Sequence, residues 1–467
     1  MTTAPALTPK PQEAPFAPMP VTVSDKLARL RRLRHDPLSY LLSLREEFGD
    51  LAYFQLWGLR SMMLSNPEHI HEVLVKKSHL FVRARTQTQI IGRLVGQSVL
   101  TTDGEFWRRQ RKLLQPAFHH KRIAGYGAVM VDHALKQAAG WQSGQTLDIA
   151  HEMMAVTLGI VAETLFGADV SGTVDQVGQA AEMGQRAVTE QSFMFIPIPF
   201  WLPTRQNREM RRARKALDSV LMPIISERRK AQQDTGDLLS TLLLSVDDED
   251  PTKRMSDEQV RNEAMTMFLA GHETTANALS WTWYLLAQHP AVEAKLHEEL
   301  DRVLAGRSPT LEDLPQLPYT EMVIKESMRL YPPAWIITRV AKEDTTIGGY
   351  RVPKGTITIA SPYVSHRDPR YFPEPEKFDP ERFCKENEEH LPRDAYMPFG
   401  DGPHICIGNM FAMLEARLIL ATLASRFQMR LVPGQKIEPV PLIALRPRDG
   451  IQVQLQSRSP QVPDGRD

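Results

Sequence analysis

Cys406 is the residue whose neighbours most constrain its chemistry. It is one of only two cysteines, and it lies in the run Phe399-Gly400-Asp401-Gly402-Pro403-His404-Ile405-Cys406-Ile407-Gly408. Glycines on both sides give the backbone tight turns and a close approach to a flat ligand that other residues resist. From Gly408 onward, Phe411, Leu414, Leu418 and Ala421 recur on one helical face, so the sulfur stands at a helix N-terminus. Backbone N–H groups and the helix dipole there favour thiolate over thiol. Such a thiolate can be a nucleophile, a redox thiol, a zinc ligand or a haem ligand. The missing CxxC argues against structural zinc and dithiol exchange, and nothing around Cys406 forms a Cys-His protease signature. An inert, buried cysteine fits the same residues.

Three other groups have chemistry-bearing spacing. Glu273 and Thr274 interrupt an apolar stretch, Ala264 to Ala270 and Ala276 to Trp283, beside the small residues Ala270 and Gly271. The threonine hydroxyl can bond back to its own helix, which is the structural alternative to proton transfer. Glu326 and Arg329 are three apart and share a helical face, either as a braced pair or as a surface ion pair of under about 1 kcal/mol. Trp107 and Arg111, four apart, project together from a third helix, although Arg108-Arg109-Gln110-Arg111-Lys112 alone reads as a solvated basic face.

The elements that must position these groups are mostly helical. Ser256 and Gln259 form a capping-box pattern that opens a helix able to run to His289, long enough to cross a whole domain. Pro290 then starts another, Ala291 to Leu304, rich in Glu and Lys and solvated on one face. The Glu326–Arg329 helix ends before Pro332-Pro333. Leu51 to Leu64 predicts a hairpin turning at Gly58, and short strands are expected over Tyr350 to Ala360, around Gly355, and at Ile451 to Leu455.

Hydrophobic residues make up 42% of 467 and charged residues 24%, the balance of a globular chain with a substantial core. Lys+Arg and Asp+Glu both number 56, so net charge gives no footprint for nucleic acid or acidic substrates. Two cysteines, Cys384 and Cys406, offer no disulfide framework and suit a reducing cytoplasm. Residues 1–24 read as a proline-rich disordered tail, 25–457 as one catalytic domain without a linker, and 458–467 as a flexible end. No secretory signal pattern and no run of about twenty apolar residues is present, so no integral membrane anchor is expected.

The Cys406 run resembles the haem-binding signature FxxGxxxCxG of the cytochrome P450 monooxygenases. Three further motifs of that family follow its order: WxxxR at Trp107 to Arg111, the oxygen-activation motif Ala270-Gly271-His272-Glu273-Thr274-Thr275, and ExxR at Glu326 to Arg329. A PERF segment, Pro380-Glu381-Arg382-Phe383, lies between ExxR and the cysteine. The family more often has arginine where His404 stands, and histidine carries a charge that varies near neutral pH.

The resemblance implies a mainly α fold with small β-sheets. It is a triangular helical prism with haem b (iron protoporphyrin IX) between a long central helix and the Cys-loop helix. It assigns Cys406 to the iron, Trp107, Arg111, Arg339 and His404 to the haem propionates, and Ala270, Phe399 and Gly408 to the haem surroundings. Glu273 and Thr274 relay protons to dioxygen, while Glu326 and Arg329, with Arg382, are structural. By position in the family, substrate contacts fall on Ile90, Ile91, Leu94, Val95, Phe193, Phe195, Ala270, Ile336, Ile337 and Ile443. Nearly all are apolar and point to a small lipophilic substrate such as a fatty acid, alkane, terpenoid or carotenoid-like compound. With no flavin, nicotinamide or ferredoxin segment in the chain, electrons come from a separate ferredoxin or flavodoxin-type protein. The basic cluster Arg108, Arg109, Lys112, Lys121 and Arg122 could meet such an acidic partner. The apolar run Phe193 to Trp201 falls where the family has its access lid and could touch a membrane surface. The implied class is a soluble, bacterial-type, cytoplasmic monooxygenase. The alternatives are a peroxide-driven or isomerising haem-thiolate enzyme and a non-catalytic haem sensor, and the Glu273-Thr274 pair argues against both.

Overall fold

The computed structural model describes residues 31–56, 59–192, 198–231, 234–244 and 255–458. The tail expected at 1–24, the end of the chain after 458, and Phe193 and Phe195 lie outside them, as does the Gly58 turn. Cα proximity divides the chain into two compact units, interleaved along the sequence.

The first unit takes in the chain up to Ala84 together with Trp335–Glu376 and Leu391–Cys406. Its leading helix, α1 (Pro37–Phe48), is capped by Asp36, which accepts from the Ser39 N–H at 3.2 Å. The expected hairpin forms: Leu51–Leu56 pairs antiparallel with Leu59–Leu64 in continuous register from Leu51↔Leu64 to Leu56↔Leu59. The second of these strands pairs parallel with Ile357–Ala360, which pairs antiparallel with Ile337–Ala341, and Phe81–Arg83 closes the five-stranded sheet. The short strands expected over Tyr350 to Ala360 are present on either side of Gly355, in different sheets. Tyr350–Val352 makes its own hairpin with Thr345–Ile347, while Ile357–Ala360 joins the main sheet after Gly355 at φ +82°. Met62, Leu64, Ile70, Val73, Phe81, Ala341, Ala360 and Met397 form the apolar core under this sheet.

The second unit, Arg85–Ala334 with Lys377–His390 and the chain from Ile407, is mainly helical. Its helices include α2 (Gly104–Leu114), α3 (Gly127–Ala138), α4 (Ile149–Phe166), α5 (Val174–Ser192), α6 (Arg205–Ala231), α7 (Asp257–Gln288), α8 (Pro290–Leu304), α9 (Pro318–Leu330) and α10 (Asn409–Ala424). The Ser256–Gln259 capping box is present in both directions and opens α7, a helix of 32 residues. At 1.5 Å per residue α7 is about 48 Å long, and it is buried on nearly every side, packing along α4. The α4 helix is apolar and long enough to cross a membrane by composition alone; 61% of it is buried inside the fold, as a core helix would be. α8 starts at Pro290 as expected, yet several of its acids are internal. Glu293 accepts from Gln428 and Arg430, and Glu299 accepts from the N–H groups of Tyr319 and Thr320. The strand predicted at Ile451 to Leu455 is Gln452–Ser457, central in a small sheet with Thr146–Asp148 and Phe427–Leu431.

Candidate active site

In the first unit the loop bearing Cys406 is a succession of tight turns. Gly400 N–H donates to Met397 O at 3.1 Å, Ile405 N–H to Gly402 O at 3.1 Å, and Cys406 N–H to Phe399 O at 3.0 Å. Gly402 has φ +72°, and a Cβ there would lie 2.0 Å from the Leu74 carbonyl oxygen, so only glycine allows this approach. Asp401 is held by Arg393 at 3.1 Å, beside the bonded pair His71 Nδ1 and Asp394 Oδ2 at 2.8 Å. Cys406 is exposed, which removes the buried, inert cysteine as a reading. Phe399 and His404 are half-buried, as are Ile336 and Ile337. A Cβ on Gly400 would be 3.5 Å from Ile337 Cδ1, so that predicted substrate contact adjoins the loop.

The sheet adds a residue that motif reading missed. Arg339 and Arg83 are direct antiparallel partners, only 7% and 8% exposed respectively. Cross-strand partners present their side chains to the same face, and like charges placed so are destabilising. Arg339 Nη1 donates to Thr338 O at 2.9 Å. The available signal for Arg83 was a lone cation in the apolar run Phe81-Val82-Arg83-Ala84, but its pairing with Arg339 needs the register.

In the second unit, α7 is buried from Val260 through Phe268 and again from Thr275 through Trp283. Between those stretches Ala270 is exposed, and Leu269, Gly271 and Thr274 are half-buried. The central helix is therefore open along its small residues. Thr274 Oγ1 donates to Ala270 O at 2.8 Å, the back-bond weighed above. Glu273 points elsewhere: Gln185 Nε2 on α5 donates to its Oε2 at 2.5 Å. No direct bond joins Glu273 to Thr274 among the described residues, as expected for adjacent positions on a helix. Burial raises the Glu273 carboxyl above its usual range, moderated by the Gln185 bond and by Arg446. Arg446 pairs with Glu182 at 3.1 Å, one turn before Gln185 on α5, so a polar file leads outward from Glu273. Gln185 carries no motif and was not legible as a site residue.

Glu326, Arg329 and Arg382 come together. Arg329 donates to both Glu326 oxygens at 2.7 and 2.8 Å, with both side chains fully buried, and to Lys377 O at 3.0 Å. Glu326 also accepts the Asp379 N–H at 2.9 Å and lies 3.4 Å from Arg382 Nε. Burial pushes its carboxyl up, and Arg329 holds that rise in check. The surface-pair alternative is thereby excluded. A second buried acid, Glu415 on α10, escaped sequence reasoning; burial drives it well above the usual carboxylate range, with Thr275 of α7 beside it.

On α2, Trp107, Gln110 and Leu114 are buried and Arg111 half-buried on one side, while Arg108 and Lys112 are exposed on the other. Ile90, Ile91, Leu94 and Val95 are all buried. Their segment is tied to α7, where Arg261 Nη1 donates to Val95 O at 2.8 Å and Glu263 accepts the Val99 N–H at 2.9 Å. Ile443 is 37% exposed, and Gly408 is the N-cap of α10.

An iron porphyrin with two carboxylates asks for an accessible soft ligand, desolvated cations and small residues where a helix meets its plane. Within the first unit, the exposed Cys406 and the desolvated Arg83–Arg339 pair match the first two of those demands. Comparison with known proteins agrees. The family model described as Cytochrome P450 matches residues 15–455. Cyclooctat-9-en-7-ol 5-monooxygenase from Streptomyces melanosporofaciens is 40% identical, over 85% of this chain and 86% of its own length. Cyclooctatin synthase from the same organism is 38% identical over 88% and 89%. Pentalenene oxygenase from Streptomyces avermitilis is 32% identical over 91% and 94%.

Proposed function

The chain belongs to the cytochrome P450 family, and from that premise we propose that it hydroxylates a terpenoid with electrons from a separate ferredoxin. As a member it is a haem-thiolate monooxygenase of mainly helical fold. It binds haem b and uses O2 and a redox partner to insert one oxygen atom into a lipophilic substrate. The observation that carries the terpenoid reading is end-to-end similarity to oxygenases named for cyclooctat-9-en-7-ol and pentalenene. The apolar character of Ile90, Ile91, Leu94, Val95, Ile336 and Ile337 supports it. The exposed cations Arg108, Lys112, Lys121 and Arg122 support an acidic ferredoxin as donor, and cysteines that form no disulfide support a cytoplasmic setting.

Haem, when bound, supplies the iron at which dioxygen is reduced and cleaved, aided by electron density from its thiolate as in P450s generally. The Cys406 sulfur is its ligand in this reading. Arg83, Arg339, Arg111, His404 and the Trp107 indole N–H donate to the propionates, while Phe399, Gly408 and Ala270 shape the surroundings. Burial raises the affinity of the Glu273 carboxyl for its proton, Gln185 Nε2 orients that group, and the Thr274 hydroxyl presents its oxygen lone pairs where α7 is open. Glu326, Arg329 and Arg382 hold the backbone at 377–379 in place.

The test has two arms. The reduced protein under carbon monoxide should give the thiolate-type Soret band and C406S should lose it; a C406S protein keeping that band would remove Cys406 as ligand. Cyclic terpenes should produce a low- to high-spin shift at lower concentration than fatty acids or alkanes, and the reverse ranking would overturn the terpenoid assignment.

A further inference from the structure

The outer side of α6 carries a charge pattern that the oxygenation chemistry does not use. Asn207, Met210, Ala213, Leu217 and Leu221 are its buried side. From Trp201 to Met222 the exposed residues are Trp201, Pro203, Arg205, Arg208, Arg212, Lys215, Ser219 and Met222, with no acid among them. From Arg205 the spacing alternates three and four, so the cations form one row along the helix, about 15 Å from Arg205 to Lys215.

Cations beside the row are engaged within the protein. Arg211 turns inward to Phe200 O at 2.7 Å, and Arg214 faces Asp218 at 3.8 Å. Within the row only Arg205 is paired, with Glu209 at 2.8 Å. Arg208, Arg212 and Lys215 have no ion pair or side-chain hydrogen bond among the described residues. The row is bounded by apolar groups: Trp201, 77% exposed, stands before its first turn, and Met222, 38% exposed, follows at its far end.

We infer that this side of α6, led by Trp201, rests on an anionic lipid surface. Net charge is zero, so the attraction is local to this face rather than a property of the whole chain. Exposed indole and thioether side chains flanking a line of arginine and lysine suit the headgroup boundary, where Trp partitions and cations meet lipid phosphates. A nucleic acid or acidic protein would use the same cations, but would leave the apolar groups at both ends without an apolar medium. The attachment is peripheral and independent of the substrate's identity.

The experiment uses the haem-loaded full chain with vesicles of phosphatidylcholine, with or without phosphatidylglycerol. Sedimentation with the anionic vesicles is expected, with a blue shift of tryptophan emission, and both should disappear near 1 M salt, where the Debye length is about 3 Å. R208Q/R212Q/K215Q should weaken binding on the order of 100-fold, about fivefold per cation. W201A should bind more weakly and lose most of the blue shift. These side chains are exposed, and unchanged thermal unfolding of each variant verifies its fold. Equal binding to neutral and anionic vesicles, wild-type binding by the triple variant, or preference for duplex DNA over anionic vesicles at matched salt would each overturn the inference.

Discussion

Thr274 poses the proton question at the scale of one hydroxyl. Its hydrogen is given to Ala270 O, so it serves as acceptor and relay only through its lone pairs or after rotating, and the adjacent Glu273 is bonded to Gln185 instead. In T274A dioxygen reduction should continue while product per electron falls severalfold and peroxide rises, measured as product and peroxide per electron supplied by the redox partner. Unchanged coupling would leave Thr274 with its helix back-bond alone. At this scale the identity of chemical groups was legible: a cysteine between glycines, an acid and an alcohol in an apolar run. Their partners were not. Gln185 lies 88 positions from Glu273 and Arg83 far from Arg339, and a hydrogen bond or cross-strand pairing between distant positions leaves no local pattern.

At the scale of elements, the Glu326–Arg329 pair joins α9 to the backbone at Lys377 and Asp379 without contact with water. Removing one member leaves a buried charge, so R329A should lose about 3–5 kcal/mol of unfolding free energy. Replacing both in E326M/R329M should cost less than R329A alone. Denaturant midpoints read both values, and a single variant milder than the double would mean that the pair is not acting as a desolvated unit. The helix was readable from three-residue spacing and the following prolines, and α7 from its capping box, because caps and periodicity are local. That the two strands flanking Gly355 join separate sheets was not. Alternation predicts an extended chain, while pairing depends on which edge is available after the turn at Gly355.

At the scale of the whole molecule, buried titratable groups set a pH profile. Burial pushes Glu263 up to about 8, despite its bond from the Val99 N–H, and pushes His272 and His297 down to about 4. Asp394, in the other unit, is raised to about 6 by burial and by Asp401. A raised acid holds its proton more tightly when folded, so the stability linked to Glu263 is complete below about 4.5 and is lost as pH rises through about 8. Depressed histidines act in the opposite sense, contributing above about 6.5 and losing that contribution as pH falls through about 4. Between pH 6.5 and 8 the histidines no longer act, and Glu263 acts in the same sense as the other raised acids, Glu273, Glu326 and Glu415. The share of the decline in stability that belongs to Glu263 should be no more than about 1.4 kcal/mol per pH unit, the limit for one proton. E263Q, neutral throughout and still able to accept from Val99, should flatten the decline; chemical denaturation across that window decides, and an unchanged slope would place the proton elsewhere.

By itself, the amino-acid order determined the helical character and the motif residues, because capping, periodicity and motif spacing are written in neighbours, and the resemblance of those motifs to a known family carried the haem-thiolate reading. Only the tertiary structure decided that Cys406 is exposed, that Arg83 faces Arg339, that Glu273 is held by Gln185, and that α6 presents a row of cations with no exposed acid beside it. Each of these depends on desolvation or on contact between distant positions, and those arise only when the chain packs.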